Sequence, residues 1–214
     1  MATLPRIIHT LQPYDGRDES SLSQHGRLLR EAGFIPGGKR GVGAPHMTHR
    51  HAALLLLGIF ASPTPKDSVA TIGALGSLRH HFTDGPLTEH FNWLDGPDFI
   101  EALSLLIERA PEITGLLGDL IVADRERTIE QIEVIREQAA NGAGLIDFKI
   151  EISAASATIL ASWGPHELLK VIYMMDSDRF MAGEYNSRLN SDRKVTTTFS
   201  LRTIVALHNA INGD

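Results

Sequence analysis

The sequence has no cysteine in 214 residues, and that absence removes disulfides, thiolate zinc sites, iron–sulfur clusters and a cysteine nucleophile at once. It also lacks a long hydrophobic run. The longest, Ala52 to Ala61, is interrupted by Gly58 and falls far short of the roughly 20 residues that span a bilayer, so no membrane partner is expected. Aromatic residues make up only 6% of the chain, and Trp93 and Trp163 read as core or interface anchors rather than base-stacking platforms. The first twenty residues carry one early cation and no sustained apolar core, which is not the pattern of a secretory signal. A reducing cytoplasm is the expected compartment.

With 43% hydrophobic and 21% charged residues, the chain can bury a core without covalent staples. Its net charge of −6 is unevenly spread. Between His25 and His51, five cations (Arg27, Arg30, Lys39, Arg40, Arg50) face one acid, Glu31, a local balance of +4 against −10 for the remainder. A basic segment on an acidic body can locate an anionic partner on one face.

Hydropathy patterning predicts an α+β fold. Residues 1–20 read as an extended lead-in. Helices follow from Ser21 or Ser23 to Gly33, from a Thr48 cap through Phe60, from near Pro65 or Asp67 to about Arg79, from Pro97 or Asp98 to Pro111, and across at least the second half of Ile113 to Asn141. The stretch from His80 to Asp98 reads as loop. Ile146, Phe148, Ile150 and Ile152 alternate with polar residues as in a half-buried strand, and "HELLKVIYMM" and "RKVTTTFSL" supply further strands of a small antiparallel sheet. Ser200 then caps a last helix closed by Gly213. The expected division is a helical part over residues 1–95 and an acidic α+β part over 96–214.

The stretch "FIPGGKRGVGAPHMTHRH" concentrates the chemistry. Gly37, Gly38, Gly41 and Gly43 permit close backbone approach, Lys39 and Arg40 neutralise an anion, and the helix opened by Thr48 adds N–H groups and a favourable dipole. No strand precedes the stretch, and the Gly-x4-Gly-Lys-Ser/Thr pattern is absent, so it is neither a nucleotide P-loop nor a dinucleotide fingerprint. Two readings stay open, a contact to a nucleic-acid backbone by Arg27, Arg30, Lys39, Arg40 and Arg50, and an ordinary interhelical loop. The connection is too long for a helix-turn-helix. The following helix pair comes closer, with Lys66, Ser68, Thr71, Ser77 and Arg79 available for polar contacts.

His46, His49 and His51 form a rival, metal-binding reading, with His80, His81 or His90 and Asp84, Glu89 or Asp95 completing a shell. Against it, His49 and His51 diverge on a helix, Arg50 lies between them, and the His-Glu-x-x-His pattern is missing. Glu130, Glu133 and Glu137 form a carboxylate-rich helical face that reads as solvated surface, the alternative being paired acids that ligate a metal or act as acid and base. No Gly-x-Ser-x-Gly elbow occurs, and no catalytic residue or cofactor is assigned.

The segment "LLREAGFIPGGKRGVGAPHMTHRHAALLLLGIFAS", in its order of helix, "AGxIPxGxRGxxAPxxT" and apolar helix, resembles uncharacterised proteins encoded by bacterial phages and prophages, over about residues 26–62. The resemblance implies a mobile-element setting, in which small cytoplasmic proteins regulate transcription, assist DNA packaging or inhibit host defence. The sequence reading is thus a DNA-binding regulatory or packaging accessory protein whose acidic part forms a homodimer or binds a protein. Its alternatives are an interaction module that inhibits a host enzyme without nucleic acid, and a metal-dependent hydrolase.

Overall fold

A computed structural model describes residues 2–38, 44–153, 155–176 and 196–213. The first element corrects the expected extended lead-in: α1 is a helix over Leu4–Asp15. Pro5 falls in its first turn, where a missing N–H costs nothing, and Ile7, Ile8 and Leu11 bury one side. α2 (Glu19–Glu31) is capped by Asp18, whose carboxylate accepts the Ser21 N–H at 2.9 Å, so the cap lies ahead of both serines expected to supply it. α3 (His49–Phe60) begins at Thr48 as expected, and it is buried at every position from Ala52 to Ile59. Gly58 lets α2 approach α3, since a Cβ there would lie 2.6 Å from Leu29 Cδ1.

A 3-10 turn (Pro65–Asp67) leads into α4 (Ser68–Leu75), which stops short of the expected end near Arg79. The loop expected next holds β1 (Arg79–Asp84), a strand that the alternation of its own residues does not announce. Its ordering comes from pairing antiparallel to β4 and from His80 stacking edge-on to Tyr173. After a 3-10 segment (Thr88–Leu94), α5 (Phe99–Glu108) is capped by Asp98. Pro111 does not terminate it. α5 ends at Glu108, and the proline sits in the first turn of α6 (Ala110–Ala123), followed by α7 (Ile129–Ala140).

The alternating stretch is β2 (Ile146–Ile152), followed by β3 (Ser156–Trp163), β4 (His166–Met174), β5 (Thr197–Ser200) and α8 (Leu201–Asn212). The strands make one antiparallel sheet in the order β1-β4-β3-β2-β5, so the protein has an α+β fold. The turn after β1 requires glycine: Gly85 has φ 111°, and a Cβ would meet the Leu168 carbonyl oxygen at 2.5 Å. The inner sheet face presents Phe148, Ile150, Ile159, Val171 and Tyr173 to the helices, while Lys149, Thr158 and Lys170 face outward. Buried side chains from residues 1–95 and from 96–214 belong to one core, with α3 against α5 and α1 against α8.

Two polar groups inside this core define its chemistry. Tyr173 is fully buried and donates its hydroxyl to the Leu94 carbonyl at 2.6 Å. His25, also fully buried, lies between α2 and the start of α4. Ser68 donates its hydroxyl proton to the Gly58 carbonyl, so it accepts from His25 Nδ1–H at 2.7 Å, and Arg17 donates to His25 Nε2 at 3.2 Å. The ring is therefore neutral with one fixed tautomer. Burial, then the Arg17 guanidinium, holds its pKa below the ordinary value near 6.5.

Two outcomes follow from these groups. Tyr173→Phe leaves the Leu94 carbonyl without its donor and lowers stability by about 1–2 kcal/mol in urea unfolding. Because the folded-state pKa of His25 is depressed, the unfolded chain binds the extra proton below about pH 6.5. Stability is full above that pH and falls as pH drops toward the folded-state value. The midpoint of thermal unfolding measured from pH 7.5 to 5.5 declines, with part of the slope removed in His25→Gln.

Candidate functional site

α1 and α2 cross closely at Gly26, where a Cβ would lie 3.1 Å from Leu4 Cδ1. Beside this crossing, the first turn of α1, the outer stripe of α2 and residues on both sides of 39–43 enclose a groove of about 550 Å³. Ser23, Arg27 and Arg30 follow one another at spacings of four and three, so a single α2 stripe brings both arginines to the groove. Its floor and opposite wall are mainly apolar, with Leu4 and Ile8 from α1, Pro36 and Pro45 from the flanking chain, and Met47, which is 1% exposed, and Thr3 adds a hydroxyl at the start of α1.

The backbone around the groove is pinned from two directions. Met47 donates its N–H to the Ala2 carbonyl at 2.9 Å, which fastens the approach to α3 against the start of α1. Gly38 lies against Pro45, and a Cβ at position 38 would sit 2.9 Å from the proline Cδ. Gly37 leans on the aliphatic stem of Arg30, its Cβ position 3.6 Å from Arg30 Cγ. These two glycines serve close packing of the chain against α2 and against itself.

The cations expected to act together differ in what they touch. Arg27 Nε pairs with Glu31 at 2.7 Å on the same helix, both side chains more than half exposed. Such an exposed i,i+4 pair contributes little and exchanges readily for another anion. Arg30 carries no ion pair among the described residues. Arg50 instead bridges α3 to α5 through Glu101 at 2.6 Å and does not line the groove. Thr48 is engaged in a reciprocal cap, its hydroxyl accepting the His51 N–H while its own N–H is donated to His51 Nδ1. Lys39, Arg40, Gly41 and Gly43 lie outside the described residues.

The histidines do not assemble as a ligand set. Among the described residues, no group of three or more His, Asp or Glu side chains is placed to hold a metal ion. His51 spends Nδ1 on the Thr48 cap. His49 stacks on His208 of α8 with ring centroids 6.1 Å apart, and its buried Nε2 has no partner among the described residues. Burial is the first cause holding both His49 and His51 below the ordinary histidine pKa, so both add to the acid sensitivity set by His25. His80 is committed elsewhere, within hydrogen-bond reach of Thr83 and 3.2 Å from Asp95.

Of the polar side chains considered for the helix pair, Lys66 and Arg79 are exposed and the other three turn inward. Ser68, Thr71 and Ser77 are at most 4% exposed, so their place is in the core rather than on a recognition surface. What the sequence reading missed was the contribution of α1. The signal was present in Ile7, Ile8 and Leu11, whose spacing places three apolar side chains on one helical side. Comparison with protein-family models, with curated proteins and with solved structures finds no match to the chain.

Proposed function

We propose that the protein binds nucleic acid, with duplex DNA as the first ligand to test, as a regulatory or packaging accessory protein of a phage or other mobile genetic element. The observation that supports the reading is the grouping of Arg27 and Arg30 on one α2 stripe beside the first turn of α1 and the Gly37–Gly38 backbone. Arg30 has its full charge to offer, and the exposed Glu31 carboxylate on Arg27 can be exchanged for a phosphate oxygen. The positive end of the α1 dipole adds to the same side.

Lys39 and Arg40 join the proposal through their charge and their position in the sequence between Gly38 and Ala44, two residues that line the groove. Arg50 and Thr48 join it only through their place near the start of α3, because their side chains are already engaged. Contacts of this kind position a protein on the phosphate backbone without reading bases, so binding is salt-dependent and tolerant of sequence. The acidic remainder of the chain repels DNA elsewhere and is left for a protein partner or a second copy.

Affinity for a short duplex, measured by fluorescence anisotropy over a salt series, decides the reading. Removing two phosphate contacts in an Arg27→Ala, Arg30→Ala double variant weakens binding and flattens the slope of log K against log salt by about 1.8, at about 0.9 per contact. A Lys39→Ala, Arg40→Ala double variant behaves in the same direction. No binding by the wild-type protein at low salt, or unchanged slopes in both variants, excludes the proposal.

A further inference from the structure

A phosphodiester backbone lying across Arg27 and Arg30 leaves the bottom of the groove unused. Leu4, Ile8, Pro36, Pro45 and Met47 form an apolar concavity below the two guanidinium groups, and a backbone that carries charge at every step gains nothing by entering it. The volume, about 550 Å³, falls within the roughly 300–1,000 Å³ range of clefts that enclose a small ligand. Apolar walls with a few convergent polar groups are the usual chemistry of such clefts. The charged groups here lie on one side, Arg27 and Arg30 with Ser23 and Gln24 on the same helix, and Thr3 at the start of α1 is the one polar side chain lining it from elsewhere among the described residues.

We infer that this groove is a binding site for a small amphipathic anion, a molecule with a carboxylate or phosphate-monoester head and an apolar body. The head pairs with Arg30, whose fork of donors has no carboxylate partner among the described residues, and takes the Nη donors of Arg27 left over from its Nε contact to Glu31. The body lies along Leu4, Ile8 and Met47, where it covers apolar surface otherwise left to water. Both arginines are shown on a helix anchored at each end, by the Asp18 cap at its start and by Gly33, with φ 79°, just beyond its last turn. The floor is equally fixed, because the Met47 N–H is held by the Ala2 carbonyl. The site is built from packed elements, and its polarity runs from a cationic rim to an apolar base.

This inference goes beyond the nucleic-acid reading and does not depend on it, since the decisive titration contains no nucleic acid. Isothermal titration of the full chain with decyl phosphate and with decanoate gives saturable binding at one site, and the tighter of the two identifies the head group. Inorganic phosphate alone and decyltrimethylammonium bind at least about tenfold more weakly. Arg30→Gln lowers affinity for the better ligand about tenfold or more, as expected for the loss of a charge-assisted pair. Ser23→Trp, which adds bulk at an exposed lining position away from the core, abolishes binding while the thermal midpoint stays that of the wild type. The inference is overturned by absence of saturable binding up to about 1 mM. Equal binding of the cationic amphiphile or of inorganic phosphate overturns it too, as does unchanged affinity in both variants.

Discussion

Burial of α3 on every side is the constraint from which the rest of the architecture follows. A helix that is apolar all round cannot lie on a surface, and Ala52 through Ile59 leave no polar stripe to face water. Its neighbours must therefore surround it, and they come from distant parts of the sequence: α2 at the Gly58 crossing, α4 just after it, α5 through the middle of the chain and α8 at the end. The polar groups where α2, α3 and α4 meet are paired with one another. The chain from Arg17 through His25 and Ser68 to the Gly58 carbonyl connects the loop after α1 with α2, α3 and α4 without leaving a donor stranded.

The same constraint arranges the groove. Since α3 is sealed, the chain reaching it must run over the outside of α1 and α2, and residues 36–38 and 44–47 do so. Positive charge collects where that connection crosses the outer stripe of α2. Arg50, one turn further on, has already turned toward α5 and pairs with Glu101, so cationic residues adjacent in sequence are divided between an outward role and a structural one. Charge counted along a sequence does not record that division, because an ion pair between elements is a property of their packing.

How much was legible depended on whether an element carries its own signal. β2 was clear because Ile146, Phe148, Ile150 and Ile152 all point to one side, and α3 was clear because Thr48 caps an uninterrupted apolar run. β1 was not, because "RHHFTD" has no apolar alternation and becomes a strand only when β4 supplies its hydrogen bonds. Prolines misled in two places for one reason. Pro5, within the expected extended lead-in, and Pro111, at an expected helix end, both occupy a first turn, where the ring fits and no N–H is needed. Of the groove lining, Arg27, Arg30 and Gly38 are among the residues that the sequence singles out. The apolar floor could not be read there, since Leu4 and Ile8 meet Met47 only through the helix crossing.

The pairing of β1 with β4 has a temporal side. A strand made early must wait for a partner made late: roughly 90 residues separate the two, which at about 5–20 residues per second is on the order of 5–18 s of synthesis. During that interval the helices of the N-terminal part can form from local contacts, but the edge strand cannot. Phe82, which is 43% exposed even in the finished sheet, stands among charged and polar neighbours in Arg79, His80, His81 and Asp84. Such residues discourage an unpaired strand from joining another chain. The weak strand character that hid β1 in the sequence thus keeps it soluble until β4 emerges.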